Sequence, residues 1–139
     1  MQLLYRTPFF MHETDKSPVK ILITDDEPNI VTAIDFLLKR AGYATAQAFD
    51  GRHALQMCAS FLPDILILDV MMPDLDGFEV ARQVRDNPLH EGVKILFLTA
   101  RGTQKDKEAG YAYGADYYLI KPFDNDELVS LVNEMVEYE

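Results

Sequence analysis

Asp25 and Asp26 follow VKILIT, Asp69 follows DILIL, Thr99 follows KILFL and Lys121 follows YYLI. Each short apolar run thus ends in a group that binds a cation or a phosphoryl oxygen. β-Branched runs of this length, alternating with helical stretches, read as parallel strands, whose C-terminal ends share one rim of a sheet. Three carboxylates, a hydroxyl and an ammonium therefore converge. In open α/β sheets ligands bind at that rim, and this donor set suits a divalent cation beside a phosphoryl group.

The elements that must position these groups follow in strict alternation. A strand over Val19 to Thr24 leads to a helix opened by Pro28, with Ile30, Ile34, Leu37, Leu38 and Ala41 on one face and Gly42 as its stop. A second strand, Ala44 to Phe49, precedes a helix over Gly51 to Phe61. Pro63 and Asp64 then restart an extended, almost wholly apolar run ending at Asp69, which reads as the central strand. A helix over Gly77 to Arg85, a strand Lys94 to Leu98, a helix Gln104 to Tyr113 and a strand Tyr117 to Ile120 come next. In the last helix Leu128, Leu131, Val132, Met135 and Val136 fall at the spacing of a face packed on a sheet, and its acidic residues face out. The pattern predicts an α/β fold: a doubly wound five-stranded parallel sheet of order 2-1-3-4-5, which puts Asp25 and Asp26 beside Asp69 at the switch point.

Composition bounds what such a chain does. At 139 residues with 48% hydrophobic content it has the size of one domain with an ordinary core. Acidic residues number 23 against 13 basic ones, and the net charge of -10 argues against direct binding to nucleic acid or to anionic membranes. No stretch has the length and apolarity of a membrane span or a secretory signal. Cys58, the single cysteine, excludes an intramolecular disulfide, fits a reducing cytoplasm and reads as a small core residue of a helix. Residues 1–18 form an N-terminal extension read as loosely ordered, with 19–139 as the domain; the alternative is that Leu3, Leu4, Phe9 and Phe10 dock on the domain or a partner. The natural start is Met1 or Met11.

Four signals in order, DDE after the first strand, D-V-M-M-P-D-L-D-G after the third, T-A after the fourth and K-P-F after the fifth, make the chain resemble a response-regulator receiver domain. That family has the flavodoxin-like (βα)5 fold and is the phosphoacceptor of two-component signalling. The resemblance runs from about Val19 to Val136. It implies that Asp69 is the nucleophile, taking a phosphoryl group from a histidine kinase or histidine phosphotransfer protein in a Mg2+-dependent reaction. It further implies that Asp26 and Asp69 ligate Mg2+ directly, Asp25 partly through water, with the backbone carbonyl of Met71 as an added oxygen ligand. Lys121 contacts the phosphoryl oxygens and Thr99 donates its hydroxyl to one of them. Tyr118 is the aromatic switch residue, rotating inward once Thr99 is drawn away, and the peptide between Lys121 and Pro122 is cis. Phosphorylation then shifts the face made by the fourth helix, fifth strand and fifth helix toward a downstream protein or a fused output domain.

Other features read as scaffold. Pro73 and Gly77 shape the loop after Asp69, Asp74 and Asp76 form turns or helix caps, and His12, His53 and His90 are surface groups. Two departures from the common pattern stand out: A-D-Y-Y-L replaces A-D-D-Y-L, and the last helix carries Asp126, Glu127, Glu134 and Glu137 without Lys or Arg. An all-acidic helix lacks the basic half of the charge pairs that join receiver dimers through this face, so that dimer is not expected. The chain reads as a stand-alone receiver or as one cut from a longer regulator or hybrid kinase. It is not expected to be an enzyme beyond its own phosphorylation and dephosphorylation. The competing function is a Mg2+-dependent aspartyl phosphohydrolase, but Met71 stands where such enzymes carry a general acid. A docking module without phosphorylation is the third reading. Met71, with Arg101 two residues after Thr99, flanks the path of the hydrolytic water and predicts a long-lived phosphorylated state.

Overall fold

The apolar runs become strands buried from both sides, and the sheet they form carries every residue of the acidic rim. The computed structural model describes residues 17–137. The expectations for residues 1–16, including His12, the docking of Leu3, Leu4, Phe9 and Phe10, and the natural start, lie outside the described residues. Strands β1 (Lys20–Thr24), β2 (Ala44–Ala48), β3 (Ile65–Leu68), β4 (Lys94–Thr99) and β5 (Tyr117–Ile120) pair in parallel in the order β2-β1-β3-β4-β5. Helices α1 (Pro28–Arg40), α2 (Gly51–Phe61), α3 (Gly77–Asp86), α4 (Gln104–Ala112) and α5 (Asn125–Glu137) alternate with them. This is the doubly wound order expected, with β3 at the centre.

Alternation along each strand divides the core into two layers. Ile21, Ile23, Ile65, Ile67, Leu96 and Leu98 pack with Val31, Ile34 and Leu38 of α1 and Leu128, Val132 and Met135 of α5. On the opposite face Leu22, Leu66, Leu68, Ile95 and Phe97 meet Ala54 and Cys58 of α2 and Val80, Ala81 and Val84 of α3. Cys58 is fully buried there, and burial pushes its thiol up to about 11. α4 is different. Its single buried residue is Gly110, and it meets the sheet through that glycine and the ring of Tyr111 against Tyr118.

Local chemistry sets the helix ends. Pro28 opens α1, Asp50 accepts the N–H of His53 at α2, and Asp76 accepts that of Glu79 at α3. At α4, Thr103 and Asp106 form a reciprocal capping box. Asp74 holds a left-handed φ of 72° and Asp76 caps, as read from the loop sequence. Gly42 follows the end of α1 at φ 100°. At the opposite end of the sheet from the acidic rim, the Lys94 ammonium donates to the Met135 carbonyl at 2.7 Å and ties the last turn of α5 to the start of β4.

Three local expectations need correction. In α1, Ile30, Ile34, Leu37 and Leu38 pack on the core as expected, joined by Val31 and Asp35, but Ala41 is the C-cap beyond the last turn and is exposed. Asp35 is tied down on this face: it accepts the Thr45 hydroxyl at 2.6 Å and pairs with Lys39 at 3.0 Å. Burial opposes its charge, but Thr45, Lys39 and Gln47 together outweigh that and hold its carboxyl below the usual range. His90 is not a surface group. It is 4% exposed, because a 3-10 turn over Pro88–His90 wraps the loop and carries it inward. Finally, β2 stops at Ala48, one residue short, since Asp50 takes the cap of α2.

Candidate functional site

Register alone brings the first two carboxylates together. Thr24 of β1 lies opposite Leu68 of β3, so Asp25 and Asp69 leave neighbouring strands side by side, and the Asp69 N–H donates to the Thr24 carbonyl at 3.1 Å. Asp25 and Asp69 are buried and Asp26 is exposed, yet one carboxylate oxygen from each lies within 4.8 Å of the others. On the other side β5 pairs with β4 through Thr99 and Ile120, and the Lys121 N–H donates to the Thr99 carbonyl at 2.9 Å. The Lys121 side chain then reaches back across the rim. Its ammonium contacts Asp25 at 2.8 Å and Asp69 at 3.3 Å.

Two backbone amides complete the hold on the carboxylates. The Glu27 N–H donates to Asp25 at 3.0 Å and the Met71 N–H donates to Asp69 at 3.2 Å. Gly77 makes this loop geometry feasible, since a Cβ there would stand 2.3 Å from the Asp69 carbonyl oxygen. The Met71 side chain is 58% exposed. Burial raises the Asp69 carboxyl above its ordinary range and repulsion from Asp25 adds to this, while Lys121 and the Met71 amide offset part of it. For Lys121, burial works against the ammonium, but Asp25 and Asp69 outweigh it and hold the group above its ordinary value. The peptide between Lys121 and Pro122 is cis.

Thr99 is fully buried, and its hydroxyl oxygen accepts the Arg101 N–H at 3.3 Å. Arg101 also links the site to its surroundings. Its carbonyl accepts the Tyr118 hydroxyl at 2.5 Å, and its guanidinium pairs with Asp106 at 2.8 Å and lies 5.6 Å from the Phe78 ring centre. The Tyr118 ring packs edge-on against Phe97 at 6.1 Å and closely over Gly110, where a Cβ would come within 2.8 Å of it. Tyr118 is half-buried, its ring in space that only a glycine at position 110 leaves open.

The structure thus brings Asp25, Asp26, Asp69 and Lys121 into one cluster and places Thr99 and Tyr118 on the adjoining strands. Sequence reasoning missed the role of Arg101 in joining Thr99 to Tyr118, and missed Gly110 beneath the ring. A glycine within a predicted helix, facing an aromatic residue on the next strand, is the one signal that pointed there.

A five-stranded sheet of this order with an acidic cluster and a lysine at its C-terminal rim defines a class, and comparison with known proteins agrees with it. The chain belongs to the response regulator receiver domain family, whose model matches residues 21–133. It is 43% identical over 117 residues to the alkaline phosphatase synthesis transcriptional regulatory protein PhoP of Bacillus subtilis, covering 84% of this chain and 48% of that protein. To the transcriptional regulatory protein TrcR of Mycobacterium tuberculosis it is 39% identical over 120 residues, covering 86% and 46%. The chain spans about half the length of these curated relatives. Among solved structures, a putative response regulator from Chloroflexus aurantiacus superposes with a TM-score of 0.82 at 40% identity, covering 87% of this chain and 99% of that one. The chemotaxis protein CheY4 of Vibrio cholerae gives 0.81 at 34% identity, covering 85% and 98%.

Proposed function

We propose that residues 19–139 act as the phosphoacceptor of a two-component system, with Asp69 as the residue phosphorylated. The observation that carries this reading is the Lys121 ammonium held between Asp25 and Asp69. A buried cluster of carboxylates is costly to leave ionised, and a cation already compensates it from within the chain. The same cluster suits Mg2+: every side-chain donor within it is a carboxylate oxygen, and one of the three carboxylates, Asp26, is open to solvent. Asp26 and Asp69 would hold the ion directly, Asp25 partly through water, and the Met71 carbonyl would add a ligand. When bound, the ion supplies positive charge against the phosphoryl oxygens.

Asp69 attacks the phosphorus of a phosphohistidine on a histidine kinase or phosphotransfer protein. The O–P bond forms as the P–N bond breaks, and the donor imidazole leaves as the neutral ring after taking a proton. Lys121 offsets charge on the transferring group and Thr99 turns its hydroxyl toward one oxygen. An apolar groove lined by Ile30, Ile34, Leu37, Pro122 and Phe123 opens beside Lys121. Thr99 and Tyr118 then act as the switch pair, and the face formed by α4, β5 and α5 signals to a downstream protein or a fused output domain. The domain works in the cytoplasm, binds no nucleic acid itself and catalyses only its own phosphorylation and dephosphorylation. Among the described residues no helix is long and apolar enough to cross a membrane. The exposed thioether of Met71 offers no proton, which favours an acceptor over a phosphohydrolase.

Incubation with acetyl phosphate and Mg2+ tests the reading. The wild type gains one acid-stable, hydroxylamine-labile phosphoryl group and Asp69→Asn gains none. Continuous turnover of acetyl phosphate without a retained label would identify a hydrolase, and labelling of Asp69→Asn would remove Asp69 from its role.

A further inference from the structure

Along its middle α4 meets the sheet through Gly110, against the Tyr118 and Phe97 rings, and through Tyr111, against Tyr118; its two ends are held differently. The end near the acidic rim is attached through groups that answer to Thr99. The Arg101 N–H donates to the Thr99 hydroxyl, the Arg101 carbonyl accepts from Tyr118, and the Arg101 guanidinium pairs with Asp106 in the first turn of α4. A displacement of Thr99 therefore acts on this end directly.

At the far end the C-cap Tyr113 stacks on Phe78 at 4.9 Å, and the turn beyond it is attached to groups remote from the rim. Arg85, the penultimate residue of α3, donates from Nε and Nη2 to the Gly114 carbonyl at 3.0 and 2.8 Å. Its Nη1 donates to the Val93 carbonyl at 2.5 Å and its Nη2 to the Asp116 carboxylate at 2.7 Å. That carboxylate also accepts the Ile95 N–H at 2.8 Å, and the Asp116 N–H donates back to the Ile95 carbonyl. One guanidinium thus binds the end of α3, the residue before β4 and the connection from α4 to β5. Gly114 sits at φ 108°, and a Cβ there would approach the Arg85 Cγ to 2.6 Å, so both backbone and packing at this turn are built around the arginine.

We propose that Arg85 is a positioning residue of the switch: it fixes the C-terminal end of α4, so that phosphorylation moves the helix about Gly114 and swings only its rim end. This rests on Asp69 being the phosphoacceptor. A planar fork is suited to the task because it satisfies carbonyl and carboxylate at once, where a point charge would leave one free. With the far end fixed, a small shift at Thr99 becomes a rotation of α4. Without it, the same pull is spent on loosening the turn.

Amide hydrogen exchange read by mass spectrometry, with and without acetyl phosphate and Mg2+, tests this in the wild type, Arg85→Met and the surface control Arg82→Met. Label on Asp69 is measured in the same samples. In the wild type, labelling alters exchange across residues 101–107 and leaves 113–116 unchanged. In Arg85→Met the label is taken up to the same stoichiometry, but 113–116 exchange about tenfold faster or more and now respond to labelling. Arg82→Met behaves as wild type. A wild-type response at 113–116 equal to that at 101–107, or an Arg85→Met pattern identical to wild type, overturns the pivot while leaving the phosphoacceptor intact. Absence of label on wild-type Asp69 overturns both. Should Arg85→Met fail to fold, Arg85→Lys runs the same comparison, with partial loosening expected, and the wild-type arm remains decisive alone.

Discussion

Asp69 is harder to ionise than an exposed aspartate because burial and Asp25 both oppose its charge. Its native pKa lies above the unfolded one, so its cost to stability is absent at low pH and grows as pH rises through the interval between the two values. Asp69→Asn should therefore raise the melting temperature at pH 7 in metal-free buffer, and the gain should vanish toward pH 3. Mg2+ should then stabilise the wild type more than the variant, read by the same melts with and without the ion. A second residue-scale prediction concerns Thr24, whose buried hydroxyl makes no hydrogen bond. Thr24→Val removes an unsatisfied polar group at constant shape and should stabilise by about 1 kcal/mol in denaturant unfolding. At Met71, replacement by Asn supplies a hydrogen-bonding group beside the path of water to the phosphoryl group. Met71→Asn should shorten the lifetime of the phosphorylated state; equal decay rates would reject a part for this side chain.

At the scale of elements, Gly110 decides where Tyr118 sits. Gly110→Ala places a Cβ 2.8 Å from the ring, too close for the ring to stay where it is. The variant should keep its stability within about 1 kcal/mol, since alanine favours the helix, but displace the Tyr118 ring. NMR of the Tyr118 ring would register the change. Asp35 ties α1 to the edge strand β2, and because its pKa is lowered, its contribution is present above the unfolded carboxyl range and lost as pH falls. Elements of this kind mark the limit of what was legible in the sequence. Strand ends could be read because burial on both faces demands unbroken apolar runs, and a polar residue can follow only at a rim. That argument located Asp25, Asp69, Thr99 and Lys121 before any coordinates. The Arg85 fork, the Asp35 tie to Thr45 and the burial of His90 depend on partners distant in sequence or on a loop path, and charge or period at one position says nothing of them. α4 was legible as a helix from Gln104, but not how it is held, because its one buried residue is a glycine and periodicity reports only on apolar faces.

The whole molecule is strongly acidic, and the exposed acids Asp126, Glu127 and Glu134 of α5 add to that field on the signalling face. α4 carries Lys105 and Lys107 against its own Asp106 and Glu108, so it does not reverse the sign. Two copies should therefore repel at low ionic strength, and sedimentation should find the domain monomeric both before and after acetyl phosphate treatment. A phosphoryl group adds further negative charge, in the same direction.

The tie from Lys94 to Met135 has a practical corollary. It fastens the foot of the last helix to the pole where the first strand also begins, so both ends of the folded body lie on the hemisphere facing away from the aspartates. A fluorescent reporter or surface tether joined at either point would leave the reactive crown unobstructed, and immobilised protein should accept label as fast as protein free in solution.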